Sequence, residues 1–325
     1  MGVIDRYRDR LPVGPGTPNL TLGEGSTPLV RSQRLSERYG VDLYFKCEGA
    51  NPTGSFKDRG MAVAVAKAIE DGALGIVCAS TGNTAASAAA YAARAGISAV
   101  VLHPTGAIAA AKQAQSRVVG ARVLEIRGSF DDALRSCQQL AGQSSFALVN
   151  SLNPHRLEGQ KTAAFEIVEE LGRAPDVLAL PYGGGGNTCA YDLGFQEDGL
   201  SPRIVASQAA ERAVTLASAI RIAEPAHHDE VAALVAAGRV EIVTVTDQEI
   251  TDAWLEIASL EGVFCEPSSA ASVAGLSHAE LVPGSTVVCV LTGHGLKDTG
   301  AVGVLTAATT IIDSDIASIL AEVGG

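Results

Sequence analysis

Short apolar, β-branched runs alternate with longer stretches of helical periodicity along almost the whole chain. The strand candidates are residues 43–47, 75–79, 99–102, 122–126, 147–150, 177–180, 203–207, 240–245 and 286–291. The helical patterns between them cover residues 62–71, 84–95, 109–120, 131–141, 155–171, 229–237, 247–261 and 268–277. This alternation predicts parallel sheets whose two faces are covered by helices.

A single sheet would be unusually wide for this number of strands, so the pattern also bears on domain organisation. The chain has 325 residues, which is enough for two units. We predict an α/β fold with two open, mostly parallel twisted sheets and helices on both faces. A polar turn with a proline near residues 150–154 marks the break. We expect a smaller N-terminal α/β domain at 45–150, and a larger one formed by 1–44 and 151–325.

Composition and charge restrict the possible partners. The formal net charge of −12 argues against nucleic acid or an anionic membrane surface as partner. No apolar stretch reaches the roughly 18 residues that span a bilayer, and the charged N-terminus lacks the apolar core of a signal peptide. The six cysteines contain no Cys-x-x-Cys pair, and no histidines stand at metal-ligand spacing. We therefore expect reduced cysteines, a cytoplasmic location and no metal site.

The segment from Asn51 to Gly60 carries the most informative chemistry, because Lys57 follows a Gly/Ser turn and directly precedes a helical pattern. The positive end of a helix dipole favours anions and disfavours an ammonium, so this position favours a neutral, nucleophilic amine. Such an amine suits imine formation with pyridoxal 5'-phosphate. A Walker A loop is excluded because it requires lysine directly after the second glycine, whereas Ser55 and Phe56 intervene. A solvated lysine without a catalytic role is the remaining alternative.

Three further turns between a strand and a helix are candidate anion sites. Ser80 to Thr84 combines hydroxyl and amide side chains, which bind a carboxylate or simply cap the helix. Gly183 to Asn187 contains four glycines, whose backbone can close around a phosphate. It does not match Gly-x-Gly-x-x-Gly, because position 188 is threonine.

In the third turn, Asn153 and Pro154 predict the start of a helix and place Arg156 in its first turn, where a cation is disfavoured. We interpret Arg156 as compensated by a bound anion, the alternative being an arginine that points into solvent. A fourth candidate is Thr292, which follows the last strand at the edge where open α/β sheets bind ligands. Its alternative is an ordinary glycine-rich turn.

Taken in order, these motifs resemble fold-type-II pyridoxal phosphate enzymes, and within them the bacterial threonine synthase family. The resemblance covers nearly the whole chain. It rests on residues 21–28, 51–60, 80–84, 156–162, 183–187, 261–272 and 291–298. It implies conversion of O-phospho-L-homoserine and water into L-threonine and phosphate by β,γ-elimination and replacement. The implied partners are a small anionic amino-acid substrate and a second copy of the chain in a homodimer.

The resemblance also implies a role for each candidate residue. Lys57 would bind pyridoxal 5'-phosphate as an imine and move protons. The other cofactor-binding residues would be Asn83, Gly183, Gly184, Gly185, Gly186, Asn187 and Thr292, with Asn83 at the phenolic oxygen and Thr292 at the pyridine nitrogen. The substrate-binding residues would be Ser80, Thr81, Thr84, Asn150, Ser151 and Arg156.

Two departures from the family pattern leave alternatives open. The four-glycine loop is more typical of dehydratase relatives, and Ala223-Glu224 replaces a usual Gly-Asn beside a shortened stretch at 208–218. A serine/threonine dehydratase or another β-replacement enzyme of the same fold is thus the first rival. A catalytically silent, anion-binding regulatory protein is the second, and the intact Lys57 argues against it.

Overall fold

The computed structural model describes residues 1–106, 110–300 and 310–323, and ten strands and twelve α-helices lie within them. The strands are β1 (Leu29–Arg31), β2 (Asp42–Cys47), β3 (Gly75–Ala79), β4 (Ser98–Pro104), β5 (Arg122–Ile126), β6 (Phe146–Leu148), β7 (Val177–Pro181), β8 (Arg203–Ala209), β9 (Val240–Val245) and β10 (Thr286–Leu291). The helices are α1 (Val3–Arg6), α2 (Arg34–Tyr39), α3 (Lys57–Glu70), α4 (Asn83–Ala95), α5 (Ala110–Val118), α6 (Phe130–Gln143), α7 (Pro154–Leu171), α8 (Gly186–Glu197), α9 (His228–Ala236), α10 (Asp247–Glu261), α11 (Pro267–Ala274) and α12 (Ile316–Val323).

The strands form two sheets. The larger has the order β1-β2-β10-β7-β8-β9, and only the edge pair β1–β2 is antiparallel. The smaller has the order β5-β4-β3-β6 and is parallel throughout. Because parallel strands present their carboxyl ends at one edge, the turns after β3, β6, β7 and β10 are the places where ligand-binding groups are expected. The predicted α/β class with two mostly parallel sheets is confirmed.

Both faces of the larger sheet are buried, as the apolar composition of its central strands requires. Val287 and Cys289 of β10 pack into one apolar cluster with Trp254 of α10. Val288 and Val290, which point the other way, pack into a second cluster that includes side chains of α7 and α8. Helices therefore cover the sheet on both sides and hold the strand ends in fixed positions.

The smaller sheet is built in the same way. Ile76 and Cys78 of β3 face a cluster formed with α3 and α4, whereas Val77 and Ala79 face a cluster with α6. All four strands of this sheet lie within 45–150, while β2, which crosses the predicted boundary at residue 45, pairs in the larger sheet. The domain boundaries themselves stay a prediction.

Several element boundaries agree with the sequence pattern and others do not. Strands β3, β5, β9 and β10 have the predicted limits, and α10 does as well. The short edge strand β1 and the helices α1 and α2 were not predicted, and the predicted helix start at residue 109 lies outside the described residues. All six cysteines are free, as expected.

Candidate active site

Lys57 is the first residue of α3, which begins five residues before the helical pattern predicted at 62–71. The turn before it lies against the end of β10. Gly54 has a φ of 87°, Ser55 forms a bridge with Gly293, and the Phe56 N–H donates to the Thr292 carbonyl at 3.0 Å. The Lys57 Nζ lies 4.2 Å from the centroid of the Phe56 ring. The turn therefore places the amine and Thr292 at one site.

The surroundings of Lys57 favour the neutral amine. Burial lowers the pKa of Lys57 to about 7, the nearby positive charge of Arg156 acts in the same direction, and Glu266 opposes both. At neutral pH a large fraction of the amine is thus unprotonated, as a nucleophile or a general base requires. The sequence indicates only the effect of the helix dipole, and in the structure burial is the first cause of the lowered pKa of Lys57.

A buried ionic network fixes the first turn of α3. Arg59 is fully buried and pairs through its guanidinium with Glu48 beside β2 and with Glu166 of α7. Lys46 also contacts Glu166, with 3.0 Å between Nζ and Oε2. Because removal of one member would leave a buried charge unpaired, this network is costly to break. The network therefore fixes the position of Lys57, two residues before Arg59, relative to the end of β2 and to α7.

Helices α3 and α7 cross with their backbones in contact, which only glycine permits. A Cβ on Gly60 would lie 2.4 Å from the Arg156 carbonyl oxygen, and a Cβ on Gly159 would lie 2.2 Å from the Arg59 carbonyl oxygen. Both distances are far below ordinary contact. The crossing therefore places Arg156 of α7 beside the beginning of α3, where Lys57 is located.

Arg156 is a buried cation, and we find no carboxylate paired with it in the described part of the chain. Its side chain is 1% exposed, so the alternative of an arginine that points into solvent is excluded. Its guanidinium donates to the Val149 carbonyl at 3.0 Å and to Gln160 Oε1 at 3.4 Å, while Nε has no partner among the described residues. Burial lowers the pKa of Arg156 to about 10. Within the described ranges we find no carboxylate paired with it, so the site is suited to a bound anion.

The four-glycine loop connects β7 to α8. Gly185 has a φ of 87°, which favours glycine, and a Cβ on Gly183 would lie 3.1 Å from the Ile220 Cα, which is tighter than an ordinary contact. The Cys189 N–H donates to the Gly185 carbonyl at 3.1 Å and closes the first turn of α8, so the N–H groups before it have no partner within the helix. Asn187 Nδ2 and Thr188 Oγ1 are buried without partners among the described residues. A helix N-terminus with unsatisfied buried donors fits the phosphate of pyridoxal phosphate.

Asn83 lies opposite Glu266, which no local pattern in the sequence marks as a site residue. Its Nδ2 donates to Glu266 Oε1 at 3.1 Å, and its Oδ1 is buried without a partner in the described chain. Glu266 is 1% exposed and lies against Gly293, where a Cβ would come within 2.4 Å of Oε1. A buried carboxylate thus joins Asn83 to the strand end that carries Thr292.

Thr292 has a second unpredicted neighbour. The Ser269 Oγ lies 3.1 Å from Thr292 Oγ1 and accepts a hydrogen bond from the Gly293 N–H at 3.0 Å. Both Glu266 and Ser269 belong to the stretch 261–272 that the resemblance includes. Their signal in the sequence is a helix start at Pro267 directly after an acidic residue, a pattern that by itself indicates no role in binding or catalysis.

The Ser80–Thr84 turn follows β3 and opens α4. Ser80 Oγ accepts hydrogen bonds from the N–H groups of Gly82 and Ala85 at 3.1 and 3.2 Å, so this hydroxyl acts as a cap. Thr81 and Thr84 are partly exposed on the same turn. The two threonines, rather than Ser80, have hydroxyls available for a substrate carboxylate.

In the turn after β6, Asn150 has a structural role that the sequence did not predict. Its amide accepts from the Ala79 N–H at 3.0 Å and donates to the Ala79 carbonyl at 2.9 Å, which ties this turn to the Ser80 turn. Asn153 accepts from the His155 N–H and Pro154 begins α7, as predicted. Ser151 contacts His227 through its carbonyl. Every candidate residue therefore lies on one of five turns, which are linked by direct contacts or through Glu266 and His227.

Comparison with known proteins agrees with this geometry. The family described as pyridoxal-phosphate dependent enzymes matches residues 20–293. The chain belongs to this family. Family membership confirms the fold-type-II expectation and the pyridoxal phosphate cofactor, and the donors described above fit that cofactor.

Relatives in the family include two bacterial threonine synthases. That of Halalkalibacterium halodurans is 51% identical and the alignment covers 91% of this chain and 90% of the relative. That of Synechocystis sp. is also 51% identical, with 91% and 83% covered. Among solved structures, maize serine racemase has a TM-score of 0.79 at 22% identity and covers 93% of this chain and 96% of its own. That likeness shows the fold alone.

Two further features concern metal binding and membrane insertion in the described residues. No group of three or more potential metal ligands lies within them. None of their helices combines the length and apolar character needed to cross a membrane.

Proposed function

We propose that this protein is a threonine synthase, which converts O-phospho-L-homoserine and water into L-threonine and phosphate. Its roughly half-identical relatives over most of the chain carry that name. The observation that distinguishes this function within the family is Arg156, a fully buried cation beside Lys57 without a carboxylate partner in the described chain. An enzyme that acts on serine or threonine needs one phosphate site, for the cofactor, whereas this one offers two.

The two sites divide the phosphate groups between them. The backbone N–H groups of Gly183 to Gly186, with Asn187, hold the cofactor phosphate at the start of α8. Arg156, with Thr84 and Ser151 nearby, holds the substrate phosphate, while Asn150 fixes this turn through its two hydrogen bonds to Ala79. Thr81 and Thr84, with the backbone of the Ser80 turn, hold the substrate carboxylate. A charge-assisted hydrogen bond from Arg156 orients the leaving group before it departs.

Lys57 moves the protons. When bound, pyridoxal phosphate withdraws electrons from the substrate carbons next to the amino nitrogen. The neutral Lys57 amine would remove the proton from Cα and, once it has passed that proton on, the proton from Cβ, so that phosphate can leave Cγ. Return of one proton to Cγ and one to Cα, with hydroxide from water added at Cβ, completes L-threonine. Thr292 offers the ring nitrogen a neutral hydroxyl, held by Ser269, and so does not enforce protonation there.

The same proposal includes the assembly and location of the enzyme. We propose a homodimer in the cytoplasm, supported by the family resemblance and by six free cysteines. Light scattering of the purified protein would measure its mass, and the mass of a monomer would contradict the proposed homodimer.

The rival function is a serine/threonine dehydratase, which the four-glycine loop favours. Arg156→Gln separates the two. The loss of a hydrogen bond to a charged group costs about 1.5–3 kcal/mol, so kcat/KM for O-phosphohomoserine should fall at least about ten- to a hundredfold. Cofactor binding and any slow turnover of serine should remain. As a control, Arg203→Gln removes a partly exposed ion pair with Glu241 and a surface hydrogen bond to the Glu280 carbonyl, and it should leave both activities unchanged.

Two results would count against the proposal. Equal losses on phosphorylated and phosphate-free amino acids would show that Arg156 is structural. An unchanged rate on O-phosphohomoserine would remove the main reason to prefer a threonine synthase.

A further inference from the structure

His227 packs against the four-glycine loop through its backbone. It is 4% exposed and immediately precedes α9. Its N–H donates to the Gly184 carbonyl at 3.0 Å, and a Cβ on Gly185 would lie 3.0 Å from the His227 Cβ. These contacts do not depend on the imidazole, so any side chain at 227 that carries a Cβ can keep them.

The imidazole of His227 reaches a different turn. Its Nε2 lies 3.0 Å from the Ser151 carbonyl oxygen, and because a carbonyl only accepts, Nε2 carries the hydrogen and donates. The ring also covers the first residue of α8, since a Cβ on Gly186 would lie 3.3 Å from Nε2. Nδ1 faces the exposed Glu230 carboxylate at 3.4 Å. One side chain therefore touches both the loop after β7 and the turn after β6.

These two turns belong to different sheets. Ser151 follows β6 of the smaller sheet, and the glycine loop follows β7 of the larger one. The hydrogen bond fixes the peptide between residues 151 and 152, in the turn that leads into the first turn of α7 and to Arg156. His227 itself takes no part in the proposed proton transfers.

We propose that His227 is a positioning residue that holds the substrate-phosphate turn in register with the cofactor-phosphate loop. This inference rests on the proposed function, because it assigns the Ser151–Arg156 turn to the phosphate of the substrate. The imidazole thereby keeps the binding site for the substrate phosphate at a fixed distance from the cofactor. It contributes nothing to the affinity for amino acids without a phosphate.

The test compares two ligands on the cofactor-loaded enzyme by calorimetry. One is 2-amino-5-phosphonopentanoate, whose phosphonate cannot be eliminated, and the other is norvaline, the same amino acid without the phosphonate. In His227→Phe the ring volume is kept and the donor is lost. The affinity for the phosphonate should fall about fivefold, the size expected for one hydrogen bond, while that for norvaline stays within twofold.

Matched variants establish that the bond, and not the packing, is responsible. His227→Gln places an amide Nε2 at a similar reach and should restore phosphonate affinity, whereas the shorter amide of His227→Asn should not. The Asn and Gln variants carry the same group, so their difference tests the bond even if the phenylalanine variant does not fold. His228→Phe, at the exposed neighbouring position, should behave as wild type. The dissociation constant of pyridoxal phosphate should change less than twofold in every variant.

Three outcomes would overturn the role of His227. The first is an unchanged preference for the phosphonate in His227→Phe, and the second is an equal loss for both amino acids. The third is a His227→Gln variant that binds no better than His227→Asn. Failure of the proposed function gives a different result, because the wild-type enzyme itself would then bind the phosphonate and norvaline equally.

Discussion

The crossing of α3 and α7 at Gly60 and Gly159 sets the distance between Lys57 and Arg156, and it can be tested with one methyl group. In Gly159→Ala the new Cβ would lie 2.2 Å from the Arg59 carbonyl oxygen, whereas ordinary contacts begin at 3.4 Å. The obstacle is backbone and cannot rotate away. The helices must therefore separate by about 1.2 Å, the difference between these two distances.

A separation of this size has two measurable effects. Overpacking typically costs about 1–3 kcal/mol of stability, and it outweighs the gain of up to about 1 kcal/mol that alanine brings to a helix over glycine. A displacement near 1 Å at a reacting group lowers the rate about a hundredfold. We expect urea unfolding to show the loss of stability and steady-state kinetics to show a kcat/KM lower by about two orders of magnitude.

The same substitution at Gly142 is the control. Gly142 lies near the end of α6, and a Cβ there would meet nothing within 4 Å. Gly142→Ala should leave the free energy of unfolding equal or slightly higher, with unchanged kinetics. If Gly159→Ala matches Gly142→Ala in both assays, the close crossing does not position the site.

Two further predictions concern the buried groups of the site. In the apoenzyme, Lys57 has a folded pKa of about 7, below its usual 10.5, so the unfolded chain binds more protons between these values and stability rises with pH across that window. Urea unfolding of Lys57→Met should lack this rise, and a persistent rise would assign it to other groups. Asn150→Ala should lose about 1–3 kcal/mol, because two buried hydrogen bonds to Ala79 disappear. An effect confined to the KM for the phosphorylated substrate would instead make Asn150 a binding residue only.

The sequence predicted those parts of the molecule that local patterns determine. Strand β10, with five apolar residues after Thr286, is buried on both faces and has the predicted limits. Asn153 and Pro154 predicted the start of α7. The glycines of the loop after β7 indicated close backbone packing. Strand β1 could not be identified, because three partly exposed residues at a sheet edge carry no periodic signal.

The contacts that assemble the site were not predictable, because they join residues far apart in the chain. Glu266 meets Asn83 across 183 positions, and His227 meets Ser151 across 76. Asn150 was expected at the substrate, yet both ends of its amide are taken up by the backbone of Ala79. Local propensity tells which side chains face a strand end, but only tertiary packing decides which of them pair with each other.

The most direct test of the proposed function is the product balance of the wild-type enzyme. Purified protein loaded with pyridoxal phosphate is given O-phospho-L-homoserine, and threonine, phosphate, ammonia and 2-oxobutanoate are measured in the same samples. We predict threonine and phosphate in equal amounts, with ammonia near background. Ammonia and an oxo acid formed from serine or threonine, without threonine from the phosphorylated substrate, would contradict the account and identify a dehydratase.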